Sequence, residues 1–570
     1  MRTTAVSLLF LLVQFQDVFA APTQVPFDSD LVAKRPPRKL RGRFLHLTDM
    51  HPDPYYRVGT SEKSACHRRK PKKAKPRAGE HGIPFGDCDS PFSLTNHTLD
   101  FIDKKWSEEV DFVIWTGDSA RHDNDRKLPR TTKEIYELNR AMARKMEDVF
   151  LSKGVPVIPT IGNNDVWPHN IMLPGPNDIT FQYSVIWRSF IPFPSFQVFQ
   201  RGGYFSVDVI PGSVAAISLN TMYFYTSNKA VGGCEVNDPQ DPGNLQFDWL
   251  EVQLQTFRSR GMQVWIAGHV PPSARNYYPE CHVRYVELSL RYQDTILGHL
   301  FGHMNVDHFF FLDAQEVTHN GQARSSDALE EDEQDVKKKH KDLYGSLLKN
   351  FNHVSKVSNI DHDNYAVVNV APSVVPNPYL PSFRIFSYNI SGSPYVPGDL
   401  GVIVDGRGPR GSNAPRPDCL DDLARQNATF EKECHPSGHW NSSPNSPSRR
   451  NGLWSPLGFA QYYMPDLNAT TNKRKRPPKY KLEYLTFHPS LLHPPSEGAR
   501  SGFHYPLPLR NLPRSLRNST VTKSKYAPYG MHDLTIPSWL KLARRLGKAK
   551  HKKLRARFRR YMYMGADEER

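Results

Sequence analysis

Between about residue 43 and residue 389, short apolar runs the length of buried strands alternate with stretches whose apolar positions recur at helical spacing. The predicted strands are Phe44–Thr48, Val110–Thr116, Val155–Ile161, Val214–Asn220, Gln263–Ala267, Val306–Leu312, Ala366–Val370 and Phe383–Tyr388. The predicted helices are Lys133–Leu151, Leu245–Arg260 and Val286–His299. Because strands interleave with helices, the pattern predicts an α/β domain.

Segments outside this alternation set the expected domain limits. Residues 1–20 combine a positive start, the apolar run Ala5–Val13 and small residues at its exit, which predicts a signal peptide or a short membrane anchor. Residues 21–42 predict a linker, residues 43–395 the main domain, and about 318–345 a charged, mobile insertion within it. The Pro-, Arg- and Lys-rich stretch 396–570 predicts a largely irregular extension.

Composition narrows the class of protein. Hydrophobic residues make up 38% of the 570 residues, which excludes a wholly disordered chain. The formal net charge of +16 favours an anionic partner such as nucleic acid, polyphosphate or acidic lipid. Basic blocks at Lys473–Lys481 and Lys541–Arg560 suit a polyanionic substrate. The alternatives for Lys541–Arg560 are a solvated tail and a surface attracted to acidic lipid. Nucleic acid is not expected as the physiological partner, because no nucleic-acid fold motif is present and the leader indicates secretion.

Sequons and cysteines agree with a secretory route. The predicted N-glycosylation sites are Asn96, Asn389, Asn427, Asn441, Asn468 and Asn518. Six cysteines form an even set that permits 15 pairings, of which we favour the sequence-adjacent one, Cys66–Cys88, Cys234–Cys281 and Cys419–Cys434. The sequence contains no C-x-x-C pair, which argues against zinc binding by cysteine.

Potential metal ligands follow five of the apolar runs. The segments are Leu47-Thr-Asp-Met-His51, Trp115-Thr-Gly-Asp118, Ile161-Gly-Asn-Asn-Asp165, Ala267-Gly-His269 and Phe301-Gly-His-Met-Asn305. Each alone is more often a turn or a structural histidine, but strand ends converge at one edge of an α/β sheet. Asp, Asn and His donors without Cys suit hard or borderline divalent ions, so the five together predict a metal site.

The order D-x-H, G-D, G-N-x-D/E, G-H and G-H-x-H resembles the calcineurin-like metallophosphoesterase superfamily over roughly residues 43–390. Within it, Gly117–Asp125, Gly162–Asp165 and Gly302–His308 most resemble the vacuolar endopolyphosphatase family, with acid sphingomyelinase-like phosphodiesterases as the next nearest group. The resemblance implies a four-layer αββα sandwich as the catalytic domain. It also implies delivery to the vacuole, in its lumen or on the lumenal side of its membrane, with secretion as the alternative.

The resemblance further implies two divalent ions, of Mn, Zn, Fe, Co or Mg. Asp49, His51 and Asp118 would hold one ion, and Asn163, His269 and His303 the other. Asp118 would bridge them, because a shared anionic ligand offsets the repulsion between two close cations. A hydroxide bridging the metals would then attack the phosphoryl group.

Two positions depart from the superfamily pattern. Asn305 stands where a ligand His is usual, and we expect its carbonyl oxygen to be the fourth ligand of the first metal, with His308 as the alternative. Asn164 replaces a His that normally donates a proton or contacts phosphate. We therefore expect His122 to be the acid or phosphate contact and Arg121 to pair with substrate oxygens. The alternative for this pair is a loop ion pair with Asp123 or Asp125.

The function expected from the resemblance is endopolyphosphatase activity, the metal-dependent hydrolysis of internal phosphoanhydride bonds in inorganic polyphosphate. A phosphate leaving group has a low pKa and departs with little acid assistance, which fits the loss of the usual His at Asn164. One alternative is a sphingomyelinase-like phosphodiesterase. The other is a non-catalytic protein that binds polyphosphate or membrane. The sequence does not decide the oligomeric state, the preferred length of polyphosphate, whether chain ends are also attacked, or whether the protein is trimmed by proteolysis.

Overall fold

In a computed structural model of the chain, the described residues are 38–72, 75–318, 336–397, 441–467, 477–494 and 503–566, and at 318 and 336–342 the description covers the backbone only. Contacts divide the chain into residues 1–40 and 41–570, and every element below belongs to the second unit. The leader, most of the linker, the predicted pair Cys419–Cys434 and the sequons at Asn427 and Asn468 lie outside the described residues.

The strands form two six-stranded sheets and one short ribbon. They are β1 (Arg43–Leu47), β2 (Pro52–Asp53), β3 (Ser90–Pro91), β4 (Phe112–Trp115), β5 (Val157–Pro159), β6 (Phe205–Ile210), β7 (Val214–Ser218), β8 (Gln263–Ala267), β9 (Ile296–Phe301), β10 (His308–Asp313), β11 (Tyr365–Val370), β12 (Ser382–Tyr388), β13 (Pro456–Tyr463) and β14 (Lys481–Leu485). The first sheet has the order β14-β13-β12-β1-β4-β5, the second β10-β11-β9-β8-β7-β6, and β2 pairs with β3.

The described α-helices connect and cover these strands. They are α1 (Phe92–Lys105), α2 (Thr132–Val149), α3 (Asp178–Ile186), α4 (Phe196–Gly202), α5 (Pro242–Ser259), α6 (Pro279–Arg291), α7 (Gln315–Thr318), α8 (Val336–Lys356), α9 (Ile536–Gly547) and α10 (Lys552–Met562). Thr131 begins α2 as its N-cap, since its side chain accepts a hydrogen bond from the backbone N–H of Glu134.

Aromatic side chains join the two sheets face to face. The ring of Phe44 on β1 lies 4.9 Å from that of Trp265 on β8, and Trp265 lies 6.2 Å from Phe386 on β12. Helix α1 covers the first sheet through Phe101, whose ring is 6.2 Å from Phe383, and α9 covers the second sheet through Trp539, 4.4 Å from Phe309. Helices therefore flank two packed sheets, which confirms the predicted α/β sandwich.

Strand direction brings the carboxyl ends together. Strands β1, β4 and β5 are parallel in the first sheet, as are β7, β8, β9 and β11 in the second. Parallel strands end at the same edge, so the loops after β1, β4, β5, β8 and β9 share one end of the molecule.

All eight predicted strands are present to within a few residues, but one helix prediction is wrong at its end. Helix α6 stops at Arg291, and the segment from Ile296 is β9, which lies between β8 and β11. The apolar run fits the period of a helix as well as that of a strand, and its pairing with β8 and β11 makes it a strand. Gly298 allows Trp265 to pack closely, since a Cβ there would lie 2.9 Å from its ring.

The extension after residue 395 includes irregular stretches, as its composition predicts, but it also completes the fold. Strand β13 pairs with β12 along its length, and β14 extends the same sheet. A buried polar cluster fixes this attachment: Arg384 on β12 forms an ion pair with Asp307, and Tyr484 on β14 donates a hydrogen bond of 2.6 Å to the other oxygen of Asp307. The extension thus contacts the segment that directly follows Asn305.

Two disulfides, Cys66–Cys88 and Cys234–Cys281, confirm the first two predicted pairs and fit an oxidising compartment. The described sequon residues Asn96, Asn389 and Asn441 are partly exposed and Asn518 is exposed. Among the described residues, no helix combines the length and apolar character that a membrane crossing requires.

Because Trp539 is 3% exposed and packs on Phe309, its removal tests whether the extension belongs to the folding unit. We expect Trp539→Ala to lower the free energy of unfolding by about 3–5 kcal/mol. Urea unfolding followed by far-UV circular dichroism measures the change. The matched control is Leu173→Ala, at a side chain 61% exposed, which should change stability by less than about 0.5 kcal/mol. An equal free energy of unfolding for the two variants would contradict the packing of the extension on the second sheet.

Candidate metal centre

The five ligand-bearing loops predicted from the sequence meet at one end of the two sheets. Asp49 and His51 follow β1, Asp118 follows β4, Asn163 follows β5, and His269 and His303 follow β8 and β9. Potential ligand atoms of Asp49, His51 and Asp118 lie within 4.8 Å of one another, as do those of Asp118, His269 and His303. Asp118 belongs to both groups, which is the arrangement expected of a bridging ligand.

In the first group, His51 faces two carboxylates. Its Nε2 lies 3.4 Å from Asp118 Oδ2 and 3.7 Å from Asp49 Oδ1. Its Nδ1–H donates to the backbone carbonyl of Ala120 at 2.7 Å, which fixes the ring and directs Nε2 inward. Within the described part of the chain, the buried atoms His51 Nε2 and Asp49 Oδ1 have no hydrogen-bond partner. Buried nitrogen and oxygen atoms that have no hydrogen-bond partner are suited to bind a metal ion.

In the second group, Asn163 Oδ1 lies between two imidazoles, 2.8 Å from His269 Nε2 and 2.9 Å from His303 Nδ1. His269 Nε2 is also 3.2 Å from Asp118 Oδ2. The Nδ1–H of His269 donates to the carbonyl of Thr116 at 2.7 Å, so its Nε2 is the atom left for a ligand. The amide nitrogen of Asn163 donates to Asn170 Oδ1 at 2.9 Å, which turns the amide oxygen toward the site.

Asn305, predicted as the fourth ligand of the first metal, presents a neutral oxygen acceptor. Its Nδ2 donates to the carbonyl of Asn377 at 2.9 Å, while its buried Oδ1 has no hydrogen-bond partner among the described residues. The alternative, His308, lies at the start of β10 with its Nδ1 bonded to the Val306 carbonyl at 2.8 Å. These contacts favour Asn305, whose ligation stays a prediction.

Several candidate ligands have unusual backbone geometry. Asp49, His51, Asp118, His303 and Asn305 all have positive φ, between 39° and 69°. Non-glycine residues adopt this region rarely, and such residues cluster at functional sites. The tight turns therefore use backbone strain to direct several side chains into a common space.

Buried Asp165 holds two of these turns. Its Oδ1 accepts from the backbone N–H groups of Ser119 and Ala120, at 2.8 and 3.1 Å. Its Oδ2 accepts from those of Asp118 and Gly162, at 2.9 and 3.0 Å. Gly162 is required beside it, because a Cβ there would lie 2.1 Å from Asp118 Oδ1. The last residue of the G-N-N-D motif thus positions Asp118.

A model of the Calcineurin-like phosphoesterase family matches residues 42–307. An Endopolyphosphatase of Cryptococcus neoformans is 39% identical over 89% of this chain and 89% of its own length. An Endopolyphosphatase of Schizosaccharomyces pombe is 30% identical over 89% of this chain and 84% of its own.

The chain belongs to the endopolyphosphatase family. The Endopolyphosphatase of Saccharomyces cerevisiae is 37% identical over 62% of each chain. Calcineurin-like phosphoesterases use a dinuclear centre of divalent metals, and the two ligand groups that share Asp118 match that requirement.

The electrostatics of this endopolyphosphatase-family site depend on the paired Asp and His residues. Burial raises the pKa of Asp118, but His269, His51 and the amide of Asn164 outweigh it and hold the pKa well below its usual value. Burial lowers the pKa of His51 and His269, but the carboxylates around them, Asp118 first, raise both to about 9. Without metal, protons on the two imidazoles balance the buried carboxylates.

His122, the predicted acid, is oriented by a residue that the sequence did not single out. Its Nδ1 lies 2.6 Å from Asp89 Oδ1, and its backbone N–H donates to Asp89 Oδ2 at 2.7 Å. The imidazole stacks on His51 with centroids 3.9 Å apart. The Cys66–Cys88 disulfide ends one residue before Asp89, and β3 pairs with β2 directly after His51. The position of Asp89 depends on these long-range contacts.

His169 is a further residue that the sequence did not reveal. Its Nε2 accepts a hydrogen bond of 3.2 Å from the amide nitrogen of Asn163. Burial, together with the nearby charge of Arg130, lowers the pKa of His169 to about 3. The neutral imidazole therefore supports the orientation of Asn163.

The structure does not support the substrate contact predicted for Arg121. Its guanidinium is 1% exposed and is paired with Glu134 on α2, with further bonds to the carbonyls of Leu128 and His122. The alternative partners are engaged elsewhere, since Asp125 pairs with His67 and Arg68 and Asp123 accepts from the backbone of Arg130. Arg121 therefore shapes the loop that carries His122.

Metal binding should compete with protons at His51 and His269. Both pKa values lie near 9, so binding at neutral pH must displace protons, and affinity should rise with pH. For Mn²⁺ added to metal-free protein, we expect roughly a tenfold gain per pH unit per displaced proton between about pH 6 and pH 8. Isothermal titration calorimetry in buffers of different ionisation enthalpy measures both quantities. Affinity independent of pH, with no proton release, would contradict this account.

Proposed function

We propose that this protein is an endopolyphosphatase that uses two divalent metal ions to hydrolyse internal phosphoanhydride bonds of inorganic polyphosphate. The observation that carries the proposal is the sharing of buried Asp118 between two ligand groups in a chain 39% identical to an Endopolyphosphatase over 89% of both sequences. The same observation opposes a purely binding role, because the ligand set is complete apart from one His-to-Asn exchange at Asn305.

The ligands divide into two sets. Asp49, His51, Asp118 and Asn305 would hold one ion, and Asn163, His269 and His303 the other, with Asp118 shared. When bound, such ions supply Lewis-acid activation of water and neutralise charge on the phosphoryl oxygens. The oriented Nε2 atoms of His51 and His269 support this assignment, as does the lone acceptor Oδ1 of Asn305.

Asn164 fixes the shared carboxylate where many relatives in the superfamily would use a His. Its backbone N–H donates to Asp118 Oδ1 at 2.9 Å, and its side-chain amide to Oδ2 at 3.0 Å. An amide donates hydrogen bonds but does not transfer a proton. The position is therefore suited to holding Asp118 and to a leaving group that needs little protonation, as a phosphate does.

His122 is the group best placed to contact the phosphates. With Nδ1–H donated to Asp89, its other nitrogen, Nε2, can donate to a phosphate oxygen when protonated. The imidazole is 15% exposed, more than the ligand imidazoles of His51 and His269, at 1% and 0%. We assign it the role of proton donor or phosphate contact, and Asp89 the role of positioning residue.

The decisive experiment compares wild type and Asp118→Asn on long polyphosphate, with products resolved by chain length. Wild type should give intermediate lengths from the outset with added divalent metal and none with chelator. Asp118→Asn should lower turnover by roughly 10³-fold or more, because one bridging carboxylate serves both ions. Asp466→Asn, the same change at a surface pair with Lys481, should match wild type.

Three results would count against the proposal. Release of orthophosphate alone would mean attack on chain ends. Faster hydrolysis of a sphingomyelin analogue than of polyphosphate would favour the phosphodiesterase alternative. No turnover with any divalent metal, combined with tight polyphosphate binding, would favour the non-catalytic one.

The pairing of His122 with Asp89 predicts coupled effects on catalysis. His122→Gln should lower kcat by about 10²-fold, and Asp89→Asn by about tenfold. The double variant should be no slower than His122→Gln alone, because Asp89 acts through the imidazole. Steady-state kinetics on polyphosphate measure this cycle, and metal content should equal that of wild type. Additive losses would show that Asp89 acts independently.

A further inference from the structure

Helix α10, near the end of the chain, has one buried apolar face. Leu554, Phe558 and Met562 recur at spacings of four residues and are at most 8% exposed. The ring of Phe558 lies 5.9 Å from Phe309 on β10 and 6.0 Å from Phe351 on α8. The helix is therefore packed on the second sheet, with its opposite face directed away from the core.

That opposite face is basic. Lys552, Lys553, Arg557 and Arg560 are exposed, and none forms an ion pair with an acidic residue of the described chain. A neighbouring loop adds exposed Lys523 and Lys525 and is held to the helix by a 3.3 Å hydrogen bond from the Tyr561 hydroxyl to the Lys525 carbonyl. We call these six residues the α10 basic face. A cluster of exposed cations on a fixed scaffold attracts polyanions.

The C-terminal end of α10 adjoins the metal centre. The carbonyl of Met562 accepts a 3.1 Å hydrogen bond from the backbone of Asp307, two residues after Asn305. The ring of the next residue, Tyr563, lies 5.1 Å from that of Tyr379, and the loop before Tyr379 accepts the hydrogen bond from the Asn305 amide. The basic face therefore leads toward the loop that carries His303 and Asn305.

We propose that the α10 basic face binds the part of a polyphosphate chain that extends beyond the bond being cleaved. The proposal rests on the proposed function and names a substrate-binding surface for it. Several cations spaced along one helix suit a long chain with about one charge per phosphate, because each contact releases counterions. The surface then favours long chains, since short ones end before they reach it.

An acidic membrane is the other polyanion to consider, and the burial pattern disfavours it. A helix that binds at a membrane interface inserts its apolar face among the lipids. In α10 that face is already occupied by Phe309 and Phe351. Only the charged face of α10 is open for binding, and the C-terminal end of the helix lies beside the segment that follows Asn305.

The test removes four charges of the helix in Lys552→Gln/Lys553→Gln/Arg557→Gln/Arg560→Gln. For long polyphosphate we expect KM to rise on the order of tenfold or more, with kcat unchanged. KM should also depend less steeply on salt than in wild type. For the shortest chains that wild type cleaves, KM should stay within about twofold, since such chains make few of these contacts.

Two further variants make the result specific. Lys104→Gln/Lys105→Gln/Arg144→Gln/Lys145→Gln removes the same charge from the C-terminal halves of α1 and α2, which precede the amino ends of β4 and β5, and should behave as wild type. Lys552→Arg/Lys553→Arg/Arg557→Lys/Arg560→Lys keeps the charge and should keep the wild-type KM. Circular dichroism and metal content establish that each variant is folded.

The outcomes separate this inference from the function itself. If wild type fails to cleave polyphosphate, the proposed function fails. If wild type cleaves it and the α10 variant has an unchanged KM for long chains, only the basic face is refuted. An equal rise in KM for long chains in the α10 and the α1/α2 variants would mean a general effect of net charge. Loss of binding to anionic vesicles with unchanged KM would assign the face to membranes. Either result overturns the proposal.

Discussion

The metal centre depends on the burial of the Asp118 carboxylate, which is 1% exposed, beside the buried carboxylates of Asp49 and Asp165. A buried charge is tolerated only when partners replace the water it has lost. Asn164 supplies two donors to Asp118, and four backbone N–H groups from two turns satisfy Asp165. In the metal-free protein, the carboxylates around them raise the pKa of His51 and of His269 to about 9, so protons take the place of cations there. The site is therefore built to take up positive charge.

This requirement explains why the C-terminal extension belongs to the same folded unit as the metal loops. The loop with His303 and Asn305 ends at Asp307, another buried carboxylate, which is neutralised by Arg384 and bonded by Tyr484. Arg384 is on β12, and Tyr484 is on β14 of the extension. Tyr484 gives the second oxygen of buried Asp307 a hydrogen-bond partner, so the extension stabilises the segment next to Asn305.

The sequence predicted the ligands because each directly follows a strong apolar strand signal and lies beside a glycine or within a short motif. Parallel strands then bring Asp49, Asp118 and His269 together without further information. Residues whose positions depend on distant contacts could not be predicted in this way. Asp89 reaches His122 through a disulfide and a two-residue ribbon, and Arg121 finds Glu134 across a loop of 12 intervening residues. The strand at Ile296 was missed for the same reason, since its pairing with β8 and β11 overrides a run that fits either period.

The two asparagines that depart from the superfamily pattern are neutral amides, which cannot take up a proton as an imidazole can. The exchange from His to Asn changes which residues can transfer a proton. Asn164 bonds to Asp118, and Asn305 offers an oxygen, so neither can supply a proton. Two divalent ions would carry more positive charge than Asp49 and Asp118 carry negative charge, so a loaded centre would be net positive toward an anionic substrate. Such a centre would bind and polarise phosphates strongly, and any proton for the leaving group would have to come from His122. An anhydride between phosphates needs that proton less than an alkyl ester does, so the arrangement suits the anhydride better.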